Sequence, residues 1–340
     1  TVTEDNLLAE KSNNFLVSLC ESRDIWGVAL ADLSTGAFAV TEFDSLKARE
    51  ELFSEISRLQ PSEILIPEAL KDRIRTLVEV PAQVMITPLP DKSYDEGEGR
   101  RRLLDQLEVQ TLNGFGAEGM TAAISAAGAM VLYLHDTQKS ALKHINRLHV
   151  YSTSDFMILD YTTQRSLELV QSLHGGREGT LLSVIDHTIT PMGGRLLRSC
   201  IVQPLKDRRV IEERIEAVKR IHDDLGLRER LDRHLRGVYD LERIIARVNC
   251  GSANAKDLLA LRLSLERMPG LRDTLLSSSC PLLQKTAGEI NPLGDLCAEL
   301  TSAIVDNPPF SLREGGIFRD GYNSDLDDLR AITRDTKGWL

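Results

Sequence analysis

Two β-like runs fix the geometry of the first third of the chain. Ile25–Asp32 and Ala37–Phe43 are separated only by Leu33-Ser34-Thr35-Gly36. A connection that short, built from turn-forming residues, closes an antiparallel hairpin. A helical pattern follows, with Leu46, Leu52, Phe53, Ile56 and Leu59 as its apolar positions. Glu63–Ile66 reads as a short buried strand and Pro67–Val78 as a helix, with Pro67 suited to the first helical position. Gln83–Thr87 reads as a last strand, closed by Pro88. Hairpin, helix, strand, helix, strand predicts a mixed sheet with helices on its faces. Pro88–Arg100, polar and glycine-containing, and the glycine-rich Asn113–Gly119 read as surface or linker segments.

From Ala122 the texture changes to helices. Ala126–Thr137 is a strong helix, and Leu148–Asp160 holds two short β-like runs around Ser152-Thr153-Ser154. Thr190-Pro191 pairs an N-cap residue with a proline at the first helical position, opening a helix that ends before Pro204. Inside it, Gly193-Gly194 costs roughly 1 kcal/mol per residue relative to alanine, which implies that another backbone passes close by. Asp207 caps a helix with the stripe Ile211, Ile215, Val218 and His222, and Tyr239–Val248 and Asp257–Met268 continue the helical pattern. The expected fold is thus α/β plus all-α, with the change of texture near residue 121. The chain opens on Thr1 and stops at Trp339-Leu340 inside a helical stripe (Leu326, Leu329, Ile332), as an internal piece of a longer polypeptide would.

Charge is uneven. The net charge of −10 lies in residues 1–125, with 12 Lys/Arg against 22 Asp/Glu, while residues 126–340 hold 29 of each. A strong nucleic-acid binder normally carries a basic face. Only 195–247 leans basic, with 14 Lys/Arg against 10 Asp/Glu, and it reads as solvated amphipathic helices or, alternatively, as a phosphate-facing strip. The longest apolar run, Ala122–Leu134, falls short of the about 20 residues a bilayer span needs. Five cysteines, none spaced as C-x-x-C, argue against a zinc site or a disulfide framework and fit a reducing cytoplasm.

Several short motifs invite a chemical reading. Gly114-Phe115-Gly116-Ala117-Glu118-Gly119 matches G-x-G-x-x-G, but Glu108–Leu112 before it is a poor strand, so a flexible joint is the better reading. No glycine is followed by lysine, so the chain has no Walker A loop. Asp32 ends a strand ahead of Ser34-Thr35-Gly36, the position of a metal-binding aspartate in ribonuclease-H-like folds. A metal-dependent nuclease needs further carboxylates converging on the ions, and only Glu63 is offered, so a turn-capping aspartate is preferred. Phe53-Ser54-Glu55 matches the F-x-E pattern of mismatch readers, yet lies mid-helix where Phe53 is expected to face the sheet. His187 reads as a hydrogen-bonded loop residue, and no Ser/His/Asp or Cys/His set stands out.

The helical half carries a longer pattern. It runs through Ala126-Ala127-Gly128-Ala129, Tyr133-Leu134, Asp136-Thr137-Gln138 and His144-Ile145. It continues with Met157-Ile158-Leu159-Asp160, Thr163, Arg165, Leu167-Glu168-Leu169 and Thr180-Leu181-Leu182. Ile185-Asp186, Thr188, Thr190, Met192-Gly193, Arg195-Leu196-Leu197-Arg198, Pro204-Leu205 and Asp207 complete this part. In that order it resembles the core domain of the MutS mismatch-repair family. Asp240-Leu241-Glu242-Arg243, Arg247, Asp306-Asn307-Pro308-Pro309, Gly315-Gly316-Ile317, Gly321-Tyr322 and Leu326-Asp327 extend the likeness toward that family's lever helix. Asn13-Asn14-Phe15-Leu16 and Asp32–Gly36 resemble the opening of its connector domain. Ser166 and Cys200 depart, standing where asparagine and tryptophan are expected.

The resemblance implies a ribonuclease-H-like mixed-sheet connector (1–120), followed by a mostly helical core (121–320) and the start of a lever helix (321–340). This segment would be non-catalytic, with no cofactor of its own, and ATP and magnesium would belong to the longer parent. Mismatched duplex DNA, self-dimerisation and MutL docking through the connector are the implied partners of that parent. Its place would be the cytoplasm, with no membrane contact. The alternatives are a nuclease centred on Asp32, or a relative acting in recombination control.

Overall fold

A computed structural model describes residues 9–77, 84–137, 142–309 and 312–338. It divides into two compact units, 1–212 with 245–251, and 213–244 with 252–340.

The first unit is built on a six-stranded mixed sheet of order β5-β4-β1-β2-β3-β6. Its strands are β1 (Leu16–Ser22), β2 (Ile25–Asp32), β3 (Ala37–Phe43), β4 (Glu63–Pro67), β5 (Met85–Leu89) and the two-residue β6 (His149–Val150). β1–β2 and β2–β3 are antiparallel, and β4, β5 and β6 add in parallel pairs. Side chains alternate across the strands. Val17, Leu19, Val28 and Ile64 face one cluster with Leu52 and Ile56 of α1 (Ala48–Leu59), while Leu16, Cys20, Ala29 and Leu65 face another. That second face is covered by α3 (Glu96–Leu107) and α4 (Thr121–Thr137).

The expected hairpin and the strand at Glu63 are present, and three readings need correction. Sequence periodicity misses β1. Its hairpin to β2 turns through Arg23 and Asp24 at φ 51° and 67°, the type I′ geometry that normally announces itself with Asn-Gly. Asn and Gly at positions 23 and 24 would relieve both left-handed residues. The double substitution Arg23→Asn/Asp24→Gly is expected to stabilise the chain by about 1 kcal/mol in thermal denaturation. In place of one helix after Pro67 there are a 3-10 turn (Glu68–Leu70) and a single helical turn, α2 (Ile74–Leu77). Val78 and Gln83 lie outside the described residues.

The third correction is α3, whose glycines look like linker. Asp95 caps it, accepting from the Glu98 amide at 2.9 Å. Gly99 is a packing residue: a Cβ on Gly128 of α4 would lie 2.2 Å from the Gly99 Cα. Two helices approach that closely only where both lack a side chain. α4, which the sequence texture groups with the helical part, is buried against the sheet from Ala122 to Val131. Its first turn meets Gly27 of β2, where a Cβ would sit 2.1 Å from the Ala122 carbonyl carbon.

Beyond β6 come α5 (Tyr161–Ser166), α6 (Leu181–Ile185), α7 (Pro191–Val202) and α8 (Arg208–Asp223). Thr190 caps α7 as expected, its hydroxyl accepting from the Gly193 amide, and an Asp207 carboxylate oxygen accepts from the Arg209 amide at 2.8 Å. The division between the units falls within α8 and within α10 (Leu241–Asn249).

The second unit gathers α9 (Leu225–Leu235), α12 (Met268–Leu276) and α13 (Pro281–Glu289) around Leu227, Leu275 and Leu283. A smaller cluster joins α11 (Ala255–Leu265) to α14 (Gly294–Ala303). α15 (Ser324–Gly338) follows. On α8 the expected stripe is not the packed one. Ala217 and Ile221 face the α9–α12–α13 cluster, leaving Ile215 at 61% and Val218 at 68% exposure. Among the described residues no helix is long and apolar enough to cross a membrane.

Candidate functional site

Within the first unit, the segment leading into β1 and the end of α1 are fastened to the α6–α7 region by three side chains. The hub is Asp186, just after α6, whose side chain is 3% exposed. It accepts from Lys11 Nζ at 3.1 Å, from the Thr188 amide at 3.0 Å, and from the Thr188 hydroxyl and Arg177 guanidinium. Burial pushes its carboxyl up, but the Thr188, Arg177 and Lys11 hydrogen bonds outweigh it and hold the group well below the usual carboxylate range. Lys11 also donates to the Thr188 carbonyl at 2.9 Å. From α7, Arg195 donates to the Glu10 carbonyl at 2.9 Å, and Arg198 donates to Gln60 Oε1 at 2.6 Å. The second glycine of the α7 pair is explained here. A Cβ on Gly194 would fall 2.6 Å from the Lys11 stem, so the close neighbour is a side chain, not a backbone.

Asp32 is fully buried and occupied by protein donors. Its carboxylate accepts from Asn13 Nδ2 (2.9 Å), the Asn14 amide (3.1 Å), the Ser34 amide (3.0 Å) and the Ser34 hydroxyl (2.7 Å), which is a turn-capping role. Glu63 accepts from Thr87 and Tyr133, each at 2.7 Å. Among the described residues no three His, Cys, Asp or Glu side chains converge to hold an ion. The nuclease reading is therefore not favoured.

Phe53 is partly buried against the cluster between α1 and the sheet, as expected, and also reaches α5. Its ring packs edge-on against Tyr161 of α5, with centroids 6.0 Å apart. Glu55 is the buried member of the F-x-E triplet, held in a fork by Arg58 and accepting from the Tyr151 hydroxyl. His187 is exposed. The glycine-rich segment follows a helix, and a Cβ on Gly114, Gly116 or Gly119 would meet nothing within 4 Å, so no close approach explains those glycines.

One pairing was not legible from sequence. Cys250, just past α10, places its thiol 3.2 Å from His144 Nδ1. Burial raises the thiol pKa and lowers that of the imidazole. Both shifts oppose a thiolate–imidazolium pair, so this is a neutral structural contact. All five cysteines are free thiols.

Within 195–247 many cations are spent on neighbouring acids. Arg208–Glu212, Arg220–Asp224 and Arg236–Asp232 pair one turn apart, and Arg243 lies beside Asp240. The exposed pairs among them add little to stability, because solvent screens them. These pairs leave the stretch net basic, with 14 Lys/Arg against 10 Asp/Glu.

The mixed sheet and the helices clamped to it by these polar contacts lie within one compact unit. The chain belongs to the MutS family: the family model for MutS domain II matches residues 14–146 and that for MutS domain III matches residues 162–336. Over its whole length it is 39% identical to the DNA mismatch repair protein MutS of Halothermothrix orenii, covering 38% of that protein. It is 40% identical to the MutS of Symbiobacterium thermophilum and 38% identical to that of Thermosynechococcus vestitus, again over all of this chain and 39% and 40% of theirs. The chain thus spans about two fifths of the length of these relatives.

Proposed function

We propose that this chain is the non-catalytic connector and core segment of a mismatch-recognising ATPase, relaying between the clamping of DNA and the nucleotide state. In this reading ATP and magnesium are handled by other parts of a longer protein, which acts in the cytoplasm on mispaired duplex. Self-dimerisation runs through those same parts, and MutL docks on the sheet domain.

The observation that carries the reading is the clamp itself. α7, from the domain III match, grips Gln60 of the domain II match through Arg198, while Arg195 and Asp186 hold residues 10 and 11. Polar joints with discrete partners can hold two packed elements in register and pass a displacement from one to the other. No step of chemistry is required of them.

The chain alone is expected to bind duplex weakly and without preference for a mispair. Fluorescence anisotropy with paired and singly mispaired duplexes of one length checks this. Equal affinities are expected, and tighter binding of the mispair by tenfold would count against the proposal. The MutL assignment is checked separately, since removing the sheet domain should abolish cross-linking to MutL.

A further inference from the structure

Beside the Asp186 clamp lies a cavity of about 370 Å³, within the roughly 300–1,000 Å³ range of small-ligand sites. Its polar lining comprises Arg58, Arg195, Arg198, Ser12, Asn13 and Gln60 with Ser199, and no carboxylate among the described residues lines it. The three guanidiniums differ in what they already do. Arg58 is forked onto Glu55, with its Nε 2.9 Å from one carboxylate oxygen. Arg195 is buried and donates to the Glu10 carbonyl. Arg198 donates to a neutral amide oxygen, that of Gln60, and has no acidic partner among the described residues. Burial, and then the like charge of Arg177, disfavour its protonated form.

A half-buried guanidinium bonded to a neutral amide oxygen, with the like charge of Arg177 near it, gains from an anion that offsets its desolvation and repulsion. Planar forked donors suit a tetrahedral oxyanion better than a spherical one. We infer that this cavity is a binding site for a small phosphate-bearing anion, with Arg198 as its principal contact and Arg195, Arg58, Asn13 and the serine hydroxyls as supporting donors. The site shares Arg195, Arg198 and Gln60 with the clamp, and its ligand goes beyond the relay role proposed above. It would add to it, because its lining comes from the entry to β1, the end of α1 and α7 together.

Titration of the 340-residue chain with inorganic phosphate, against sodium chloride of matched ionic strength, tests this by thermal unfolding and calorimetry. At tenfold saturation phosphate is expected to raise the Tm by about 3 °C. Arg198→Gln should abolish the rise. Arg198→Lys, which keeps the charge and loses the fork, should weaken phosphate binding by about tenfold. Stabilisation by general exclusion of phosphate from the surface would persist in Arg198→Gln, so an equal rise in both proteins would overturn the inference, as would no rise in either. A third arm separates a free phosphate from a DNA phosphodiester. If Arg198→Gln weakens duplex binding while inorganic phosphate binds neither protein, the cavity serves nucleic acid and the small-anion assignment fails.

Discussion

Gly27→Ala is expected to destabilise the sheet unit by about 3 kcal/mol or more. The added Cβ would lie 2.1–2.3 Å from three backbone atoms of Ala122 and Ala123. Those atoms form the first turn of α4, whose Ala123 amide is already held by Glu42 Oε1 at 2.8 Å. A flexible side chain could rotate away, but a helix end pinned to the sheet cannot, so the strand or the whole helix must shift. Overpacking in well-packed cores costs about 1–3 kcal/mol and more when backbone is displaced. At about 2–4 °C per kcal/mol for a domain of this size, the Tm should fall by roughly 10 °C. A change below about 2 °C would mean that α4 does not seat on β2 as described.

The second large effect falls on the clamp. Asp186→Ala removes the acceptor shared by Lys11, Arg177 and Thr188. Breaking a buried pair costs about 3–5 kcal/mol, but Lys11 and Arg177 keep 30% and 48% of their side-chain exposure, so solvent screens part of the loss. A destabilisation of about 2 kcal/mol is expected. The carboxyl is held below its ordinary value in the folded chain, so acid protonates the unfolded chain first and draws the equilibrium toward it. Its contribution is complete at neutral pH. It begins to fall as the pH approaches the unfolded value of about 3.9 and is lost as the pH drops through the lower folded value. The Tm difference between the parent and Asp186→Asn should therefore narrow between pH 5 and pH 3, and a difference independent of pH would contradict this charge assignment.

What the sequence made legible was local and periodic. The β2–β3 hairpin shows in its alternation and in Ser34-Thr35-Gly36, and α7 shows in Thr190-Pro191, because a cap and a fixed φ act at the residue that carries them. β1 was hidden, since its I′ turn uses Arg23-Asp24 and tertiary pairing on both sides overrides the weak local preference. α3 was hidden because Gly97 and Gly99 lower its helix propensity, and only the approach of Gly128 reveals what Gly99 is for. The α8 stripe misled for the opposite reason, because periodicity marks an apolar face without saying which neighbour takes it. Of the clamp, Asp186 and Arg195 were visible as members of a family pattern. Their partners Lys11 and Glu10 lie 175 and 185 residues away, beyond any local signal.

Asp186 also gives the most direct test of the relay, carried in a MutS protein long enough to bind mispaired duplex and ATP. The quantity to measure is the ratio of duplex affinities with and without ATP, a coupling free energy that reads communication apart from either binding event. Asp186→Ala, assayed at neutral pH well below its Tm, should leave each ligand bound while the ratio collapses toward one. A ratio equal to the parent's would mean that the clamp only stabilises the fold and transmits nothing.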